Sequence, residues 1–277
     1  MSNSLMLNPV VVVPVHKQQP TADEEFSLLR CGKVLGSHPI RLVHPNGLNI
    51  QAYRDILPMS KPIPVPAFWM KNIHAYNQML INPSFYQKIA SYSHVLIHEP
   101  DAIVISDQLL YWCKSPFHYI GAPWFDGFDN ATQESTITGV GNSGFSLINI
   151  SAISTAFASN SRWISRLVIA KELINILLRR RNHYSLKTLL KATGPKGLLR
   201  KGHQIFEENC DVFISHHIPN SRNTKFIIAD SNNALLFSWE VNPANCAKLT
   251  QGRLPFGIHA WAKYDRPFIE TLLKQSP

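Results

Sequence analysis

His94-Val95-Leu96-Ile97-His98-Glu99-Pro100-Asp101-Ala102-Ile103-Val104-Ile105-Ser106-Asp107 decides how this chain is read. Two short apolar, β-branched runs flank an acidic knot, Glu99-Pro100-Asp101. The runs read as buried strands. Carboxylates at the end of a buried strand are expensive unless a positive charge meets them. In open α/β sheets the strand ends are also where ligands bind. Glu99 and Asp101 are therefore candidates to hold a divalent cation and, through it, the phosphates of a nucleotide. The alternative is a plain strand-ending turn, with Pro100 as breaker and both acids in water.

The chain before the knot supports an α/β reading. Val10-Val11-Val12-Val13-Pro14-Val15 is a continuous β-branched run, as expected of a central parallel strand, and His16-Lys17 follow at its end. Residues 21–35 predict a helix, with Thr21 as N-cap, Asp23, Glu24 and Glu25 at its positive end and Gly36 after it. Residues 40–43 predict the next strand. This β-α-β opening is expected to be parallel and right-handed. It carries no G-x-G-x-x-G, so a dinucleotide fingerprint is absent. Residues 57–66 are proline-rich and read as a surface connection. Residues 68–90 predict a helix in two pieces, broken near Asn82-Pro83.

Beyond the knot, residues 108–113 predict a helix and 119–124 a strand running into a polar, acidic loop at 125–139. Val140-Gly141-Asn142-Ser143-Gly144-Phe145 is a glycine-rich turn entering a strand. It is either a close backbone approach to a ligand or an ordinary bulge. Residues 153–178 have apolar positions at helical spacing, and residues 184–199 predict another short helix. Residues 225–229 and 235–239 read as short strands, and residues 264–275 as a closing helix. His259, among aromatic residues, is either a satisfied core histidine or a ligand.

The composition narrows the classes. A chain of 277 residues, 45 % hydrophobic, can bury a substantial core. It is expected to form a single α/β domain over 1–277, with a basic helical insertion at 151–201. No apolar run approaches the ~20 residues that cross a bilayer, and the start does not read as a signal peptide. Cys31, Cys113, Cys210 and Cys246 are far apart, which argues for reduced thiols and a cytoplasmic protein. The net charge of +9 is concentrated: residues 162–201 hold eleven basic residues against Glu172 alone, and the rest of the chain sums to −1. A neutral body with one basic segment points to an anionic surface, peripheral at the inner face of a membrane, more than to nucleic acid. The alternative is a solvated helix face.

In order, Pro14-Val15-His16-Lys17, Tyr76-Asn77, Phe85-Tyr86, Leu96-Ile97-His98-Glu99-Pro100-Asp101-Ala102, Tyr119-Ile120-Gly121-Ala122-Pro123-Trp124, Gly141-Asn142-Ser143-Gly144-Phe145-Ser146-Leu147, Asp211-Val212-Phe213 and Pro255-Phe256-Gly257-Ile258-His259-Ala260-Trp261 resemble a bacterial family long labelled a domain of unknown function and assigned to GT-A-type glycosyltransferases. The resemblance implies a GT-A-like, Rossmann-type mixed sheet flanked by helices. It implies transfer of a sugar from a nucleoside-diphosphate-sugar, UDP-sugar favoured, to a hydroxyl of a glycan or lipid-linked acceptor in surface polysaccharide synthesis. Inversion is favoured over retention.

The same resemblance implies roles for individual residues. Glu99, Asp101 and His259 would hold Mn²⁺ or Mg²⁺, hard cations suited to oxygen ligands and phosphate. Asp211 would be the catalytic base. Pro14, Val15, Lys17, Tyr76 and Asn77 would bind the nucleotide. Asn142, Ser143 and Gly144 would meet the sugar, and Trp124 would stack on a sugar ring or simply pack. Two positions depart from the family: Cys210 stands where an acid is usual, and Glu99 where glutamine is. The first departure leaves open a fold relative without turnover, binding carbohydrate or an anionic surface.

Overall fold

The computed structural model describes residues 7–158, 166–178, 186, 189, 209–219 and 225–275. A six-stranded sheet forms its centre, in the order β3-β2-β1-β4-β9-β6. Its strands are β1 (Val10–Pro14), β2 (Ile40–Pro45), β3 (Lys61–Val65), β4 (His94–His98), β6 (Tyr119–Ile120) and β9 (Phe145–Asn149). The first four run parallel, with Val11 opposite Ile40 and Val12 opposite Ile97. β9 is antiparallel to both β4 and β6. The fold is thus mixed α/β, as expected.

The alternation of side chains across β1 explains its unbroken valine run. Val10 and Val12 face the layer of helices α3 (Ile73–Leu80), α4 (Pro83–Gln87) and α6 (Ile150–Ala158). Val11 and Val13 face α1 (Ala22–Leu35), α2 (Gln51–Ile56) and α5 (Leu109–Cys113). All four valines are at most 1 % exposed, so each contributes on the order of 1.5 kcal/mol or more of burial. Because β1 and β4 run parallel, the loops after them lie at the same end of the sheet.

Two smaller sheets complete that end. β5 (Ile103–Val104), β10 (Ser238–Trp239) and β11 (Gly257–Ile258) pair in the order β10-β11-β5. β7 (Ala122–Phe125) and β8 (Ile137–Gly141) form a hairpin.

Several elements differ from the sequence expectations for definable reasons. The proline-rich connection is β3, an edge strand, where the N–H groups missing at Pro62 and Pro64 are tolerated. The segment expected as strand 235–239 is mostly the helix Ser231–Phe237, nucleated when Asp230 accepts the Asn233 N–H. At 225–229 there is only an isolated bridge, Tyr119 to Ile228, and the segment does not extend into a strand. The loop expected at 125–139 closes partly as the β7–β8 hairpin. The region expected as an insertion from 151 begins with α6, whose Ile153, Ala156 and Phe157 are buried in the main core. The helix expected at 184–199 lies almost entirely outside the described residues.

Candidate active site

The small three-stranded sheet assembles an acidic cluster. β10 and β11 are parallel, with Trp239 opposite Ile258, and the His259 N–H donates to the Trp239 carbonyl at 2.8 Å. The next residues, Glu240 and His259, therefore lie side by side. β11 is antiparallel to β5, and the Trp261 N–H reaches the Asp101 carbonyl at 3.3 Å. This brings His259 against the Glu99-Pro100-Asp101 knot, itself a tight turn closed by the Ala102 N–H on the Glu99 carbonyl at 2.9 Å. The knot is tied to the glycine-rich turn as well: the Glu99 N–H donates to the Gly144 carbonyl at 2.8 Å.

The His259 ring is held from behind. Its Nδ1 lies 2.9 Å from Glu240 Oε1, and because a carboxylate only accepts, Nδ1 carries the proton. Its Nε2 faces Glu99 Oε2 at 3.5 Å and Asp101 Oδ1 at 3.4 Å. Nε2 is buried and makes no hydrogen bond to either. Burial alone would push the imidazole down, but the carboxylates of Asp101, Glu240 and Glu99 outweigh it and hold the ring well above the usual histidine range. Burial would raise the Asp101 carboxyl, and His259 reverses that and lowers it. Among the described residues, no lysine or arginine pairs with these three acids.

This donor set fits a hard divalent cation. One atom each from Glu99, Asp101 and His259 lie within 4.8 Å of one another. Two carboxylate oxygens and an imidazole nitrogen whose other nitrogen is fixed by an acid make a suitable shell. Gly144 keeps the space open, because a Cβ there would come within 2.1 Å of His259 Nε2.

A cavity of about 410 Å³ opens beside the cluster at the carboxyl ends of β1 and β4. Pro14, Val15, Lys17 and Tyr76 line it with Glu99 and Asp101. Lys17 and Lys71 are the lysines at its wall, and Lys17 sits 2.8 Å from Glu24. The hydroxyls of Tyr53 and Tyr76, two of the lining residues, are buried without hydrogen-bond partners. Asn77, expected on this wall, instead bonds backbone: its amide donates to the Ile73 carbonyl at 2.9 Å and its oxygen accepts the Cys210 N–H at 2.7 Å. It thereby holds the segment that carries Asp211.

Asp211 lies in the single helical turn Cys210–Val212, which runs on as one π-helical turn, Phe213–His217. Its Oδ2 accepts the Asn142 N–H at 2.9 Å, and its Oδ1 the Val212 N–H at 2.8 Å. Burial raises its carboxyl above the usual range; these backbone bonds oppose the shift, and the Glu240 charge adds to it. Asn142 takes a left-handed backbone, φ 71°, and its side-chain oxygen accepts the Gly144 N–H at 2.8 Å. Its amide nitrogen is buried and unpartnered. One turn, Asn142-Ser143-Gly144, thus links Asp211 to His259. Ser143 is half-buried on that turn.

Trp124 sits on the β7–β8 hairpin. Its indole lies across Gly139 and Gly141, where a Cβ on Gly141 would meet the ring at 1.8 Å, and it stacks with His216 at 5.6 Å between centroids. Packing partners therefore already engage the ring.

Glu240 is one site residue that the sequence reading missed. Its signal was there, an acid directly after a buried strand residue, the same signature that singled out Glu99. Glu24 and Tyr53 at the cavity wall were also missed as site residues.

Residues 61–259 match the family described as "Protein of unknown function (DUF5672)". The chain belongs to that family. No curated protein matches. The structural neighbours are glycosyltransferases. The galactosyltransferase LgtC, in complex with donor and acceptor sugar analogs, is 12 % identical over 96 % of each chain, with a TM-score of 0.45. A glycosyltransferase involved in glycosylation of the major capsid of PBCV-1 is 10 % identical over 97 % of this chain and 99 % of its own, at 0.42. Core-mannan synthase A from Aspergillus fumigatus, in a Mn/GDP form, is 11 % identical over 56 % of this chain and 64 % of its own, at 0.39. These are coarse likenesses of fold.

Proposed function

We propose that this protein is a metal-dependent glycosyltransferase that moves a sugar from a nucleoside-diphosphate-sugar, with UDP-sugar favoured, to a hydroxyl of a glycan or lipid-linked acceptor. The observation that carries the reading is the convergence of Glu99, Asp101 and His259 beside the cavity at the strand ends. A cation is needed there for a physical reason. Diphosphates elsewhere sit on open helix N-termini. Here the first turn of α1 carries Asp23, Glu24 and Glu25 and is closed by a capping box, so it repels phosphate.

The residue roles follow from this reading. Glu99, Asp101 and His259 hold Mn²⁺ or Mg²⁺, and Lys17, Pro14, Val15 and Tyr76 contact the nucleotide. A bound cation supplies Lewis-acid stabilisation of the departing diphosphate. Asp211, its carboxyl raised by burial, takes the proton from the acceptor hydroxyl as that oxygen bonds to the anomeric carbon and the bond to the diphosphate breaks. The turn at Asn142, Ser143 and Gly144 faces the sugar, with Asn142 Nδ2 as donor, and Trp124 shapes the acceptor side. The basic segment 162–201 holds the protein at an anionic membrane surface where a lipid-linked acceptor resides.

Calorimetric titration with uridine diphosphate, with and without Mn²⁺, tests the reading. Binding is expected with Mn²⁺ and should weaken roughly tenfold or more on metal removal or on Asp101→Ala. No binding of any nucleoside diphosphate, or binding indifferent to Asp101→Ala, overturns it.

A further inference from the structure

We infer that Glu240 is a positioning residue for the cation, acting through His259. The inference rests on the reading of Glu99, Asp101 and His259 as a metal shell, and goes beyond it by assigning a residue that touches neither metal nor nucleotide. Four observations carry it. Glu240 and His259 are fixed as neighbours by the parallel register of β10 and β11. Oε1 and Nδ1 are 2.9 Å apart, and both side chains are at most 14 % exposed. With Nδ1–H committed to the carboxylate, Nε2 is the nitrogen whose proton a cation would displace, and it faces the two other acids. Nε2 has no other occupation: it is buried and makes no hydrogen bond. Without Glu240 the ring is free to exchange tautomers and to rotate, and a protonated Nε2 cannot ligate.

The charge of Glu240 also distinguishes this arrangement from simple packing. A ring needing only to be wedged in place could be held by an apolar neighbour. A buried carboxylate is costly to desolvate unless its charge is met. Its charge makes the imidazole a stronger electron donor to the cation.

The test uses metal alone, so that it stands apart from nucleotide binding. Free Mn²⁺ is followed by electron paramagnetic resonance during titration of the full chain. Glu240→Ala should weaken Mn²⁺ binding roughly 10–100-fold. Glu240→Gln keeps an oxygen that accepts from Nδ1–H but loses the charge, and should recover part of that loss. In a His259→Gln background, Glu240→Ala should add no further loss, because the residue through which Glu240 acts is gone. Unchanged Mn²⁺ affinity in Glu240→Ala overturns the inference, as does a full additional loss in the His259→Gln background. If Glu240→Ala does not fold, the near-isosteric Glu240→Gln decides: affinity equal to the unsubstituted protein overturns the proposal. A protein that takes up Mn²⁺ with this pattern but binds no nucleoside diphosphate would sink the proposed transferase and leave the role of Glu240 standing. Failure of the unsubstituted protein to take up Mn²⁺ sinks the role of Glu240.

Discussion

At the scale of single residues, charge is tolerated inside this molecule only where a partner is built next to it. His259 is buried against three acids and is held above its usual range. His94, at the start of β4, has no such partners and is pushed the other way, down to about 4, by burial and by the charge of His118. Asn149 Nδ2 lies 3.2 Å from His94 Nε2 and His94 Nδ1 lies 3.1 Å from Ser93 Oγ, an arrangement that suits the neutral ring, with Nε2 accepting. The ordinary histidine value near 6.5 applies once the chain unfolds. The unfolded state then takes up the proton first, so the contribution of His94 is intact above 6.5, falls as pH drops, and is fully lost below about 4. Between pH 7 and pH 5 this residue alone should remove about 2 kcal/mol of stability. Urea unfolding at the two pH values should show a smaller acid loss for His94→Gln than for the unsubstituted protein; equal losses would exclude the assignment.

The elements show how much of the site could be read in advance. The strand ends after Val10–Val13 and after His94–His98 were legible because both strands are buried on two faces and so spell unbroken apolar runs. The acids at Glu99 and Asp101 stood out against that background. β3 was not legible, since Pro62 and Pro64 forbid an interior strand and only its place at the sheet edge permits them. Glu240 was passed over for another reason: an acid after an expected strand was visible, but its partner was not. β10 is two residues long, too short for any periodicity, and the helix Ser231–Phe237 before it is apolar enough to read as part of the strand. Its pairing with His259 is a property of tertiary register.

The N-cap of α1 was legible at Thr21, but the second half of the cap, through Glu24, was not. Thr21 accepts the Glu24 N–H at 3.3 Å and Glu24 accepts the Thr21 N–H at 2.7 Å, a reciprocal cap. Glu24 is also the partner of Lys17 at the cavity wall. Thr21→Ala removes one half of the cap and should cost about 1 kcal/mol, read as a lower denaturation midpoint. Glu24 and Lys17 remain, so nucleoside-diphosphate affinity should hold. A loss of affinity matching the loss of stability would instead make the cap part of the donor site.

Over the whole molecule, charge is divided between a near-neutral body and a strongly basic segment, of which α7 (Arg166–Leu177) is the described part. No helix among the described residues is long and apolar enough to cross a membrane. The described end of α7 nevertheless leaves Leu173, Ile174, Leu177 and Leu178 exposed, and Leu177 is 82 % exposed. At that spacing they share one side of the helix. Arg179-Arg180-Arg181 come next in the sequence. An apolar ridge followed in sequence by three arginines would suit the boundary of an anionic bilayer, where the leucines would enter the headgroup region and each arginine near the surface would contribute about 1 kcal/mol. Nucleic acid would use the arginines but leave the ridge in water. The two partners therefore separate by experiment. Flotation with vesicles rich in anionic lipid should carry the protein upward at about 0.1 M salt and release much of it at high salt, while neutral vesicles should carry little. Replacing Leu173, Ile174 and Leu177 with serine should abolish flotation without altering Mn²⁺ affinity. Flotation that ignores both the ridge and the lipid charge, or binding to RNA with a steep salt slope that the serine variant leaves unchanged, would show that this face does not hold the protein at a membrane.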